Sequence, residues 1–177
     1  MPTRTLTVRK GNSNSVFSPG WHTAEVQKAA YGDYNGTRYL DIYFKDFPET
    51  MNMRVYERIG KGGEEFAIGQ IFRFANAGIE DGLDGPKGEV VIKMNDDPVG
   101  LVGQTLNIFV YKDGKYSRVY HQPAPTVFEN VCDTFSEDDI TYWKGRSEQQ
   151  FNEYLKPKLK DAEMSTNGVA TEPTIPF

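Results

Sequence analysis

One cysteine, Cys132, occurs in the 177 residues, so no internal disulfide is available. A lone cysteine reads as part of the fold rather than as a nucleophile. The two histidines, His22 and His121, stand far apart with no cysteine or carboxylate at ligand spacing, which argues against a zinc site. No apolar run approaches the roughly 20 residues of a membrane helix, and residues 1–11 are polar. The chain is therefore expected to remain in the cytoplasm, without a membrane partner. Positive charge is in deficit, with 20 Lys and Arg against 25 Asp and Glu and a net charge of -5. The molecule as a whole repels nucleic acid and anionic lipid. A local basic face can still bind phosphates, because exposed charges beyond a Debye length of about 8–10 Å are largely screened.

What is present suits one domain. The 38% apolar and 13% aromatic content supports a core at this length, and two full domains would be crowded. Period-two alternation dominates and only two stretches favour helix. Residues 5–9 are expected to open a sheet, 11–15 form a loop, and 21–30 form a strand after Ser18-Pro19-Gly20. In residues 37–45, Leu40, Ile42 and Phe44 point to the core while Tyr39, Asp41, Tyr43 and Lys45 point away. In residues 50–59, Met51, Met53, Val55 and Ile59 point inward and Asn52, Arg54, Tyr56 and Arg58 outward.

Residues 64–78 fit a helix with Ala67, Ile71, Phe74, Ala75 and Gly78 as its buried stripe and Glu64 and Glu65 in its first turn. Residues 89–94 read as a strand with Val90, Ile92 and Met94 inward, and Asp97-Pro98 opens a short turn ending at Gly103. A hairpin follows, with Asp113-Gly114 as a type I′ turn that sets Tyr111 opposite Tyr116 and Phe109 opposite Arg118. Ser136 caps a second helix running to about residue 155, with Ile140, Trp143, Phe151 and Leu155 buried. The domain is placed at residues 1–157, with a flexible tail over 158–177.

Enzyme motifs are weak. Gly60-Lys61-Gly62-Gly63 lacks the spacing of a phosphate-binding loop, and Glu64 and Glu65 would repel an anion there. The acids Glu129, Asp133, Glu137, Asp138 and Asp139 precede or begin a helix, where acids belong. No catalytic residue, metal or cofactor is expected. The strands' non-core faces are the unusual feature. They carry Tyr39, Tyr43, Tyr56, Phe109, Tyr111, Tyr116 and Tyr120, interleaved with Lys45, Arg54, Arg58 and Arg118. Flat rings that stack bases and cations that track the backbone are what a sequence-tolerant site for single-stranded nucleic acid needs. The plainer reading is that a helix buries these rings, or that they reflect β-propensity.

The chain ends in Ile175-Pro176-Phe177, which resembles the tip with which bacterial single-stranded DNA-binding proteins recruit replication and repair partners. Residues 17–125 are similar to phage-encoded single-stranded DNA-binding proteins with an oligonucleotide/oligosaccharide-binding (OB) barrel. The likeness lies in the order of Trp21, a strand near Tyr39, a helix over 69–78, and Gly100-Leu101-Val102-Gly103-Gln104 leading into a hairpin that ends His121-Gln122-Pro123-Ala124. The resemblance implies a five-stranded or slightly elaborated antiparallel barrel with two helices. It also implies single-stranded DNA binding in phage replication or recombination, in the host cytoplasm, and is compatible with a homo-oligomer. The alternative from another class is a protein-interaction or structural module that binds no nucleic acid.

Overall fold

The computed structural model describes residues 3–7 and 17–159. The loop at 11–15, the end of the strand expected over 5–9, and Ile175, Pro176 and Phe177 lie outside the described residues. Residues 5–7 carry no strand.

Strands β1 (Gly20–Tyr34), β2 (Thr37–Phe44), β3 (Met53–Tyr56), β6 (Thr105–Asp113) and β7 (Tyr116–Val119) form one antiparallel sheet in the order β3-β2-β1-β6-β7. Between them come α1 (Ala67–Phe74) and a separate hairpin of β4 (Ile79–Asp84) and β5 (Val90–Met94). A two-residue pair, β8 (Phe128–Glu129) and β9 (Thr134–Phe135), leads into α2 (Glu137–Gln150).

The first strand is long because it serves two partners. Its first half pairs with β6 and its second half with β2, and the register shifts between Val26 and Lys28. That extra residue bends the strand and lets it turn from one partner to the other. The β1–β2 turn is Asn35-Gly36, with φ of 51° and 82°. Two positive φ values are what a type I′ hairpin requires.

Alternation builds the core as expected on β2 and β3: Leu40, Ile42, Phe44, Met53 and Val55 are buried with Ile108 and Val110 of β6, and α1 adds Ile68, Ile71 and Phe72. Each such side chain contributes about 1.5–3 kcal/mol of transfer free energy. Two inward assignments and one helix length are corrected. Ile59 is 59% exposed, because the chain leaves the sheet after Tyr56. Val90 is 52% exposed, because β4–β5 stands apart from the main sheet. The helix expected over 64–78 is only eight residues, and Glu65 lies before it, its carboxylate accepting hydrogen bonds from the N–H groups of Ala67, Ile68 and Gly69 at 2.9 Å.

The β6–β7 register also differs, with Asp113 opposite Tyr116 and Tyr111 opposite Arg118. Gly114 heads the two-residue loop with φ of 61°, the place where a type II′ turn wants glycine. The shift is by two residues, so the faces are unchanged.

Ser136 and Asp139 form a capping box at α2. The helix does not stop at the expected tail boundary: a π-helical turn over Phe151–Leu155 is followed by helix through residue 159. Pro157 has no N–H to donate, and the widened turn just before it relieves the normal α-helical pairing.

The sheet is open: among the described residues, β3 and β7 do not pair with each other. After β7 the chain continues along β6, and Ala124 exchanges two backbone hydrogen bonds with Asn107. Between the segment after Val119 and the β3 edge lies a cleft.

Candidate nucleic-acid interface

On the outer face of β2 and β3, Arg54 and Tyr56 are exposed and Tyr39 and Tyr43 half-buried. Tyr39 lies opposite Tyr56, and Asp41 opposite Arg54. The Arg54 guanidinium donates to both oxygens of Asp41, at 2.8 and 2.7 Å, and stacks 3.8 Å from the centre of the Tyr39 ring. Tyr39 meets Tyr56 edge to face at 5.6 Å. Gly32 lets the Tyr39 ring lie flat on β1, since a Cβ there would sit 2.5 Å from the ring. Further along, the Lys28 ammonium lies 4.5 Å from the Tyr43 ring. Lys45 is exposed just past β2. Expected residues Tyr39, Tyr43, Arg54 and Tyr56 thus share one surface, and Asp41, Lys28 and Gly32 arrange it.

Arg54 and Tyr56 also line a cleft of about 970 Å³ beside the β3 edge. Its walls come from four separate segments: Arg54–Tyr56 with Arg58, one side of α1 from Phe66 to Phe74, the stretch 120–123, and α2 with Trp143, Arg146 and Ser147. Three arginines line it and no aspartate or glutamate does, in a chain of net charge -5. Arg58 forms no ion pair among the described residues, and its backbone is pinned, its N–H donating to Glu65 and its carbonyl accepting from Phe66 at 2.9 Å. Arg146 likewise lacks a carboxylate partner among the described residues and lies along α2 near Tyr142 and Trp143. His121 keeps one side open to solvent, yet the surrounding cleft walls desolvate it and Arg58 adds positive charge; together they hold its pKa below the ordinary value.

Three predicted stacking residues are corrected. Phe109, Tyr111 and Tyr120 pack around Phe151 beyond the end of α2, with ring centroids 5.1, 5.1 and 5.5 Å from it. Tyr120 is only 3% exposed, and burial pushes the hydroxyl pKa values of Tyr111 and Tyr120 up. The physical reason is that α2 covers this part of the sheet. Ser147 Oγ donates to the Gln122 carbonyl at 2.5 Å, Gln122 pairs with Gln150, and Trp21 Nε1 donates to Glu148 at 3.0 Å. Tyr116 and Arg118 lie on β7, the opposite edge from β3, where Asp113 binds Arg118 at 2.8 Å. They do not join the β2–β3 surface.

The rejected motifs have other occupations. Glu65 satisfies the helix start behind the Gly60–Gly63 turn, which itself closes through a Gly63 N–H to Gly60 carbonyl bond. Asp133 is bound by Arg73 through two hydrogen bonds, and Asp139 belongs to the capping box. Desolvation, with Asp133 and Asp81 nearby, raises the Cys132 thiol pKa and keeps it protonated. Among the described residues no cluster of His, Cys, Asp and Glu is placed to hold a metal, and no helix is long and apolar enough to cross a membrane.

No family model, no curated protein and no solved structure matches this chain.

Proposed function

We propose that this protein binds single-stranded DNA without sequence preference, through the open face of β2 and β3 and the cleft that adjoins it. The observation that carries the reading is the continuity of two features: the Tyr39–Arg54–Tyr56 stack, and a cleft with three arginines and no carboxylate. Rings of this kind stack bases with little regard to sequence, at about 1–3 kcal/mol per base, while guanidinium groups meet phosphates. The strand order, with a long first strand shared by two partners, supports an OB-type architecture, a partly open five-stranded barrel whose second and third strands bind oligonucleotides. The setting would be phage replication or recombination in a host cytoplasm, with Ile175, Pro176 and Phe177 recruiting partner proteins.

Titration of a labelled oligo-dT, followed by fluorescence anisotropy, tests this. Saturable binding at low salt that a duplex of equal length competes for poorly supports the proposal. No binding at low salt defeats it and favours the protein-interaction module. One observation speaks for that second reading: the β4–β5 hairpin exposes Leu83, Val90 and Val91, each more than half accessible.

A further inference from the structure

The open β2–β3 face offers rings to bases already laid on a surface. The cleft is different in kind, because it is concave and walled by β3, α1, the segment after β7 and α2. We infer that it is a nucleotide subsite, taking one unstacked base of the bound strand between its rings while Arg58 and Arg146 hold the flanking phosphates. This deepens the single-strand reading and rests on it.

Three features of the cleft support that occupant. The volume of about 970 Å³ lies at the upper end of the range that holds small ligands, about 300–1,000 Å³, so one nucleotide unit fits with space for the start of the next. The charge is one-sided: Arg58 and Arg146 have no carboxylate partner among the described residues, and no acid lines the walls, so the cleft selects an anion. The apolar lining is largely aromatic, with Tyr56, Phe66 and Trp143, and Phe66 remains 51% exposed although large and apolar. A flat ring bearing a phosphate satisfies both demands. An apolar peptide satisfies only the second and leaves two guanidinium groups to be desolvated without a counter-charge.

The inference also gives α2 a second role. Trp143 and Arg146 are three residues apart and so share a helix face. Trp143 touches Phe74 of α1 at 5.0 Å between ring centroids, which holds its indole, and both rings line the cleft. The helix that buries Phe109, Tyr111 and Tyr120 thus supplies two groups in return.

The chain has two tryptophans, so Trp21→Phe leaves Trp143 as the single indole reporter. Titrating this variant with thymidine monophosphate, and separately with oligo-dT, should change its emission saturably. Arg58→Gln with Arg146→Gln, both exposed positions, should weaken the monophosphate about tenfold or more. Oligo-dT binding by anisotropy, with Trp143 emission unchanged and affinity unaffected by the double substitution, overturns the subsite and leaves the β2–β3 surface standing. The same double substitution in the unmodified tryptophan background gives the affinity readout even if Trp21→Phe impairs folding. A monophosphate response without oligo-dT binding would support the cleft as a nucleotide site and remove the single-strand reading.

Discussion

The central residue-scale arrangement is Arg54 held flat. Asp41 fixes the guanidinium by two hydrogen bonds, Tyr39 lies beneath it, and Gly32 gives Tyr39 its bed. Arg54 and Gly32 cover the two faces of the Tyr39 ring, so the free plane is the guanidinium itself, and a plane already held in place loses little entropy when a base stacks on it. Tyr39→Ala should therefore weaken oligo-dT binding about tenfold, read by anisotropy, with far-UV circular dichroism unchanged. His121 gives a prediction in pH. Its pKa is lowered, so it is largely neutral at pH 7, and protonation in the free protein is opposed by burial and by Arg58. The charged groups lining the cleft with it are Arg54 and Arg58 from the β3 side and Arg146 from α2, with no carboxylate among the lining residues. A bound phosphate favours the protonated ring, so affinity should rise as pH falls through the histidine range, and His121→Gln should flatten that rise. Fold stability has the opposite sign: the native state binds the proton less readily than the unfolded chain, so stability drops as pH falls below the unfolded histidine value of about 6.5. Alternation alone places Tyr39, Arg54 and Tyr56 together. It is silent on Trp143 and Arg146, because a helical stripe cannot tell a ring facing the core from one that also borders a cleft.

At the scale of elements, local chemistry was readable wherever one segment decides the outcome. The Ser136–Asp139 box and the inward sets of β2 and β3 are of that kind. The Asn35-Gly36 hairpin carries the strongest short-range turn signal in the chain, yet stopping the first strand at residue 30 hides it. Strand β4 is hard to see, since Ile79–Asp84 is acidic and contains glycine, and its pairing with β5 carries a register shift. Whether α2 covers the sheet is not a local question. It depends on Phe151 meeting Phe109, Tyr111 and Tyr120 across the fold, a contact that no period in the sequence announces. Phe151→Ala should cost about 3–5 kcal/mol in urea unfolding and free the helix end. Faster amide exchange in residues 143–155 than in β1 would mark that loosening, and unchanged protection would show that α2 is held by other contacts.

Across the whole molecule, an acidic chain of net charge -5 concentrates three arginines in one cleft at the open edge of its sheet, two of them, Arg58 and Arg146, without a carboxylate partner among the described residues. Composition reports only the sum, so that concentration was invisible from charge counts. The four cleft walls come from segments between Arg54 and Tyr154, and only the fold brings them together. The segment after β7 that forms one wall is itself held to β6 by the Asn107–Ala124 bridge, another contact between distant parts of the chain.

The salt dependence of oligo-dT affinity reads this concentration directly. If Arg54, Arg58 and Arg146 each meet a phosphate, the logarithm of the binding constant should fall against the logarithm of salt with a slope of about -2, at about 0.7 per contact on a single strand. Arg58→Gln with Arg146→Gln should reduce that slope to about -0.7. A slope and an affinity unchanged by the double substitution would contradict the placement of the strand, and a wild-type protein that binds no oligo-dT at low salt would contradict the function itself.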